Sequence, residues 1–258
     1  MPHIWLIGGT SESRTIAQAL VAQQIPCVVT VTTPPARQLY PVAEGLTVQV
    51  GALTPELFPD FVAQYRVKAI VDASHPHAVE ISRHAIQFAE AWPLPYLRYE
   101  RSHVISNSHH VITLPDWETL LQGDYLNGQR VLLIVGYRRL AQFTPWHDRA
   151  TLFTRILPSP TALNAALAAG FDSRQIIALR PPISLELEAA LWQQWQISRV
   201  VAKTSGTAGG TDIKQQVAAQ LRIPLLLIDR PPLAYPQQTQ DVPTIVEFCH
   251  LHLNSSYG

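Results

Sequence analysis

Three short stretches of the chain gather residue types that bind anions or move protons. The first is Gly8-Gly9-Thr10-Ser11-Glu12-Ser13, between the apolar run His3–Ile7 and a segment of helical spacing. A dinucleotide pyrophosphate sits at such a place, on the N-terminus of a helix that follows a strand. Glycine lets the backbone approach an anion, and first-turn N–H groups, with the Thr10 and Ser11 hydroxyls, donate to phosphate oxygens. Gly8, Gly9, Thr10, Ser11 and Glu12 are therefore candidate cofactor contacts. Thr10 and Ser13 occupy the second and third glycine places of G-x-G-x-x-G, so an ordinary capped turn is the alternative reading. About 20 residues on, an NAD-preferring fold carries an acid for the ribose 2′-hydroxyl. Here the chain reads Thr32-Thr33-Pro34-Pro35-Ala36-Arg37. Hydroxyls with an arginine and no carboxylate suit a 2′-phosphate, so Thr32 and Arg37 point to NADPH, with NADH possible. The other reading of Arg37 is a solvated loop cation.

The second stretch is Asp72-Ala73-Ser74-His75-Pro76-His77-Ala78, at the end of another apolar run and with Pro76 near a helix start, where proline is tolerated. Asp72, His75 and His77 could bind a metal, meet a nicotinamide or substrate, or cap the helix. No further ligand at metal spacing accompanies them, so no metal is expected. The third stretch is Lys203-Thr204-Ser205-Gly206-Thr207-Ala208-Gly209-Gly210, with Asp212 and Lys214 opening a helix. Its backbone N–H groups could form an anion nest. The G-x-x-x-x-G-K-[ST] order of a phosphate loop is absent. The stretch reads as a contact loop for cofactor or substrate, or as a glycine-rich connector.

These stretches need elements to position them, and the hydrophobic period supplies an alternation. Short β-branched runs at His3–Ile7, Cys27–Thr32, Thr47–Val50, Ala69–Asp72 and Tyr96–Leu97 alternate with helical spacing at Ser11–Gln23, Pro55–Tyr65 and Ala78–Ala91. A second series follows the turn signal Asn127-Gly128, with strands at Val131–Val135, Thr151–Arg155, Ile176–Leu179, Val200–Ala202 and Leu225–Ile228. Helices near Thr161–Ala169, Ser184–Trp195 and Thr211–Gln220 separate them. The expected fold class is α/β, with two Rossmann-like domains of mainly parallel sheet, residues 1–127 and 128–258, and a ligand cleft between them. Trp192 and Trp195 read as packing residues, and Trp117 and Trp146 have no assigned place.

Composition narrows the function classes. The 258 residues carry 19 Lys plus Arg and 19 Asp plus Glu, so zero formal charge argues against a general nucleic-acid or membrane-surface binder. Cys27 and Cys249, far apart and without a C-x-x-C, read as reduced thiols, and a cytoplasmic address is expected. No apolar run is long enough for a membrane span. The cations are not spread evenly. Arg98 and Arg101, Arg138 and Arg139, Arg155, Arg180, Lys203 and Arg230 all stand at or just beyond the carboxyl ends of expected strands, the ligand edge of an open α/β sheet. A multiply charged small anion fits that arrangement; pairing with nearby acids such as Glu100, Asp148 and Asp229 is the alternative.

Five segments in order resemble the precorrin-6A reductase family of cobalamin biosynthesis. They are Ile4–Ser13, Val71–Ala78, Pro95–Arg101, Lys203–Gly210 with Lys214 beyond, and Ile228–Pro232. The resemblance covers nearly the whole chain; His77 stands where the family usually has Phe. It implies an NADPH-dependent reduction of one macrocycle double bond of precorrin-6A to give precorrin-6B, with a cobalt-containing ring as the alternative substrate. A non-catalytic NADP(H)-sensing protein is a further alternative, which the basic strand ends disfavour. Hydride transfer also needs a proton, for which His75, Asp72 and Lys203 are the candidates. Ser74, Ser205 and Gly206 are expected at the cofactor. Arg98, Arg101, Tyr137, Arg138, Lys203, Gly209, Gly210, Lys214 and Arg230 are expected at the polycarboxylate substrate.

Overall fold

Four consecutive apolar side chains, Ile4 to Ile7, make β1 (His3–Ile7) a strand that is buried on both faces. The computed structural model describes residues 1–100, 108–206 and 209–254. After β1 come α1 (Ser11–Ala22), β2 (Cys27–Val31), α2 (Pro34–Arg37) and β3 (Leu46–Val50). Then follow α3 (Phe58–Tyr65), β4 (Val67–Asp72), α4 (Val79–Ala91) and β5 (Tyr96–Tyr99). Alternate residues of β1 go to opposite faces. Ile4 and Leu6 pack with Ile16 and Leu20 of α1, while Trp5 and Ile7 pack with Phe58 and Phe61 of α3 and Ala85 of α4.

The second series runs β6 (Val111–Leu114), α5 (Trp117–Gln122), β7 (Arg130–Ile134), β8 (Thr151–Ile156), α6 (Pro160–Ala168), β9 (Ile176–Ala178) and α7 (Leu185–Gln194). It continues through β10 (Arg199–Lys203), α8 (Thr211–Leu221), β11 (Leu225–Ile228), β12 (Gln238–Thr239) and α9 (Val242–Asn254). Between β7 and β8, where the first series has α1 between β1 and β2, the residues Tyr137–Trp146 form a 3-10 run. Leu140, Phe143 and Trp146 of that run are buried against Val131, Leu133 and Leu152.

Among the described residues each sheet has six strands, all paired in parallel. The orders are β12-β5-β4-β1-β2-β3 and β6-β11-β10-β7-β8-β9. With β7 to β11 laid over β1 to β5, the two orders coincide and the sixth strands are exchanged. The strand after β5 pairs with β11, and the strand after β11 pairs with β5. Contacts accordingly divide the chain into Met1–Ser102 with Pro232–Gly258, and His103–Pro231. The expected division at residue 127 differs for this reason. The residues just before that division contain β6 and α5, which belong to the second unit, and α9 packs Ile245, Phe248 and Cys249 into the first.

Candidate active site at two sheet switch points

In an open parallel sheet the ligand crevice lies where the strand order reverses, outside the carboxyl ends. In the first unit that point lies between β1 and β4, and in the second between β7 and β10. The three chemistry-bearing stretches fall at these two points: the first two at the ends of β1 and β4, the third at the end of β10.

After β1 the backbone makes a turn whose two glycines differ. A side chain on Gly8 would collide with the Tyr40 hydroxyl and with Val29. Gly9 has φ +99, faces solvent, and has open space where a Cβ would stand. The Tyr40 hydroxyl accepts the Gly9 N–H at 2.7 Å and lies 2.6 Å from Ser13 Oγ. Thr10 caps α1: its hydroxyl accepts the Ser13 N–H at 3.1 Å and donates to the Ala73 carbonyl at 2.9 Å, tying the turn after β1 to the loop after β4. The expectation that the Thr10 hydroxyl faces a phosphate is therefore corrected: it is buried and turned inward. Ser11 is exposed and donates to the Glu12 carboxylate at 2.9 Å. Thr32 is exposed beyond β2. The segment after it, read as a loop, forms the short α2, from which Arg37 donates to the Val48 carbonyl at 3.0 Å.

Asp72 has no access to solvent. Its carboxylate accepts from Arg98 Nη1 (2.9 Å), the Ser74 N–H (2.9 Å), the Ser82 hydroxyl (2.6 Å) and the Tyr96 hydroxyl (2.7 Å). Burial pushes this carboxyl up, but the Arg98 guanidinium and these donors outweigh it and hold it below the usual carboxylate range. A carboxylate so satisfied does not supply a proton, which corrects its expected catalytic role. Arg98 is also internal: it reaches the Ser74 hydroxyl (3.0 Å) and Glu100 (3.0 Å) and lies 5.1 Å from the Tyr235 ring centre. Only 1 % exposed and bonded through Nε and Nη1 to Glu100, Asp72 and Ser74, Arg98 offers almost no surface to a substrate. The network instead fixes the β4–α4 loop, in which His75 is exposed and its Nδ1 accepts the His77 N–H at 3.2 Å.

In the second unit Lys203 ends β10. Its ammonium lies 5.9 Å from the centre of the Trp117 ring and about 4.0 Å from where a side chain on Gly136 would begin. Arg138 and Arg139 open the 3-10 run after β7; Arg139 lies 5.4 Å over the same indole, and Arg138 lies 5.8 Å from the Tyr137 ring. Among the described residues no carboxylate is within ion-pair distance of these three cations. Burial, and then repulsion from Arg139 and Arg138, push the Lys203 amine down to about 8.

The described residues of the loop beyond Lys203 are turned inward. A side chain on Gly209 would strike Ser205, whose N–H donates to Thr211 Oγ1 at 3.2 Å, and the Gly206 carbonyl accepts the Gly209 and Thr211 N–H groups. Lys214, 4 % exposed, donates to the Gly209 and Gly210 carbonyls at 2.7 and 2.9 Å. It braces the loop rather than offering a cation, a correction to its expected place at the substrate. Arg155 is likewise consumed by a buried ion pair with Glu188. Arg230 is half-buried beside Asp229, which accepts its backbone N–H at 2.8 Å. Arg101 lies outside the described residues. Among those described, no group of three His, Cys, Asp or Glu is placed to hold a metal, and no helix is long and apolar enough to cross a membrane.

Two doubly wound parallel sheets, one with a glycine turn leading into a helix at its switch point, define a Rossmann-like α/β protein. The family model described as precorrin-6x reductase CbiJ/CobK matches residues 3–250, and the chain belongs to that family. It is 49% identical over 255 residues to a cobalt-precorrin-6A reductase of Synechocystis sp., covering 98% of this chain and 97% of the relative. It is 30% identical to a precorrin-6A reductase of Rhodococcus erythropolis, covering 93% and 94%. A solved structure described as CobK precorrin-6A reductase shares the fold along both whole chains, with TM-score 0.79 at 22% identity.

Proposed function

We propose that this protein reduces one double bond of the precorrin-6A macrocycle to give precorrin-6B. In this reading the nicotinamide cofactor binds at the switch point of the first unit and substrate carboxylates bind at that of the second. The carrying observation is the group Lys203, Arg138 and Arg139, three cations without a carboxylate at a ligand edge, within a family whose relatives are named for a precorrin substrate. Gly8, Gly9 and the first turn of α1 fit a pyrophosphate, because Gly8 closes inward on Tyr40 while Gly9 leaves its outer side open. When bound, the cofactor supplies the hydride. Arg37, tethered to β3 and exposed, would meet a 2′-phosphate, which favours NADPH over NADH.

The chain's own groups do the rest. The Asp72–Arg98 network keeps the β4–α4 loop rigid, Thr10 couples that loop to the glycine turn, and His75 presents a solvent-facing imidazole there for proton delivery. Lys203 and Arg138 anchor the substrate's acid side chains, with Tyr137 beside them. The relatives carry both cobalt-containing and metal-free substrate names, and a metal at the ring centre leaves the peripheral carboxylates unchanged, so both rings belong in the assay. The test is steady-state reduction of each ring with NADPH and with NADH. His75→Gln is expected to lower kcat with little change in KM, and Lys203→Met to raise the KM for the ring. Cofactor oxidation that does not depend on either ring would refute the reading.

A further inference from the structure

We propose that Trp117 is a positioning residue of the second unit's anion site: its indole gathers the Lys203 ammonium and the Arg139 guanidinium so that one substrate carboxylate meets two cations at once. The inference rests on the reading of that site given above. An acid set between two cations would pair with both and cancel the charge a ligand needs. Here the shared neighbour is an aromatic ring, with Lys203 Nζ 5.9 Å and Arg139 Cζ 5.4 Å from it. A ring face attracts a cation without neutralising it, so both charges stay available. The indole is itself fixed. Trp117 opens α5, whose cap Asp116 accepts the Thr119 N–H at 2.7 Å, and Phe143 of the buried core meets it edge-on at 6.4 Å.

Among the described residues, the ring is an attractive neighbour of the Lys203 ammonium, which lies 5.9 Å from its centre. Arg138 and Arg139 are the charged groups that bear on it, and both repel it. On α5, Asp116 is used as the helix cap and Glu118 accepts from Gln122 at 2.7 Å. Beyond β11, Asp229 accepts from Thr204 and from the Arg230 N–H. The turn after β7 makes room: Gly136, at φ +78, leaves the space beside the ammonium open. Burial, and then repulsion from Arg139 and Arg138, push the amine down to about 8, so the site carries nearly its full charge at neutral pH and loses one charge above that.

The experiment uses the full chain with Trp117→Ala, Trp117→Gln and Trp117→Phe. The first readout needs no substrate: the pH dependence of Lys203 acylation by acetic anhydride, followed by peptide mass spectrometry. The midpoint is expected at about 8 in the unchanged protein and in Trp117→Phe, and lower in Trp117→Ala and Trp117→Gln, where the ring's attraction is lost while the repulsion from Arg139 and Arg138 remains. The second readout is kinetic. The KM for precorrin-6A is expected to rise roughly 3- to 30-fold in Trp117→Ala and Trp117→Gln, with kcat within about twofold. A midpoint that stays put or rises when the ring is removed, or a fall in kcat at unchanged KM, overturns the inference. If Trp117→Ala does not fold, Trp117→Gln and Trp117→Phe still oppose a ringless side chain to an aromatic one. If the unchanged protein does not turn over precorrin-6A, the proposed function fails, while the acylation midpoints still decide the place of Trp117.

Discussion

Lys203→Met should stabilise the protein while weakening its grip on substrate, because the ammonium is held where the fold disfavours it. An ordinary lysine titrates near 10.4, and Lys203 near 8, so keeping it protonated at pH 7 costs the folded state about 3 kcal/mol. Methionine is an unbranched apolar side chain of similar length and removes the charge. A gain of about 2–3 kcal/mol is expected, the lower figure because part of the side chain still meets water. The sign with pH is fixed. A lysine whose folded value is depressed binds its proton more weakly in the folded than in the unfolded chain. The unchanged protein therefore becomes more stable as pH rises through about 8 toward about 10.4, and the advantage of Lys203→Met shrinks over that window and vanishes above it. Urea unfolding of both proteins at pH 7, 8.5 and about 10.5, with a probe in the second unit, measures this. A variant no more stable than its parent at pH 7, or an advantage that does not shrink with pH, would refute the reasoning.

Arg98→Leu should destabilise the first unit by about 3–5 kcal/mol, because it strands the fully buried Asp72 carboxylate, as thermal or urea unfolding would show. The folded Asp72 carboxyl lies below the usual range, so its contribution is present above the ordinary carboxylate value, about 3.9, and is lost as pH falls through its lower folded value; Asp72→Asn should flatten that acid limb in a pH series of unfolding curves. Tyr40→Phe leaves the Gly9 N–H without its acceptor and should lower stability by about 1–2 kcal/mol and weaken NADPH binding several-fold, which calorimetry of unfolding and of binding would separate. Arg37→Ala should weaken NADPH binding and leave NADH binding unchanged in a titration with each; equal losses for both would remove the 2′-phosphate from the account.

Much of the architecture was legible because the period of the apolar residues is short-range information. The runs at Ile4–Ile7 and Val131–Ile134 are apolar throughout, as strands covered on both faces must be, and the expected strands from His3 to Leu225 lie within a residue or two of the observed ones. The exchange of the sixth strands was not legible. β6 has two exposed residues among its four, Ile112 and Thr113, and β12 has two residues in all, so neither carries a pattern, and which sheet accepts them is a long-range choice. At the site, strand-end position was readable and side-chain direction was not. Arg98, Lys203 and Arg155 looked alike as cations at strand ends, and Lys214 as a further cation opening the helix after the third stretch. Arg98 faces Asp72, Arg155 faces Glu188 and Lys214 turns to two carbonyls, which leaves Lys203 with the adjacent Arg138 and Arg139. Tyr40 and Trp117 were missed because each reaches its partner across the fold, with no local motif to mark it.

The most direct test of the central claim is a single-turnover reaction with precorrin-6A, or its cobalt form, and NADPH carrying deuterium at the transferable position. The expected result is a product heavier by one deuterium and one hydrogen, with the deuterium in the macrocycle and a rate that collapses in Lys203→Met at low ring concentration and recovers as the ring is raised. NADPH that binds while the ring gains no deuterium would contradict it.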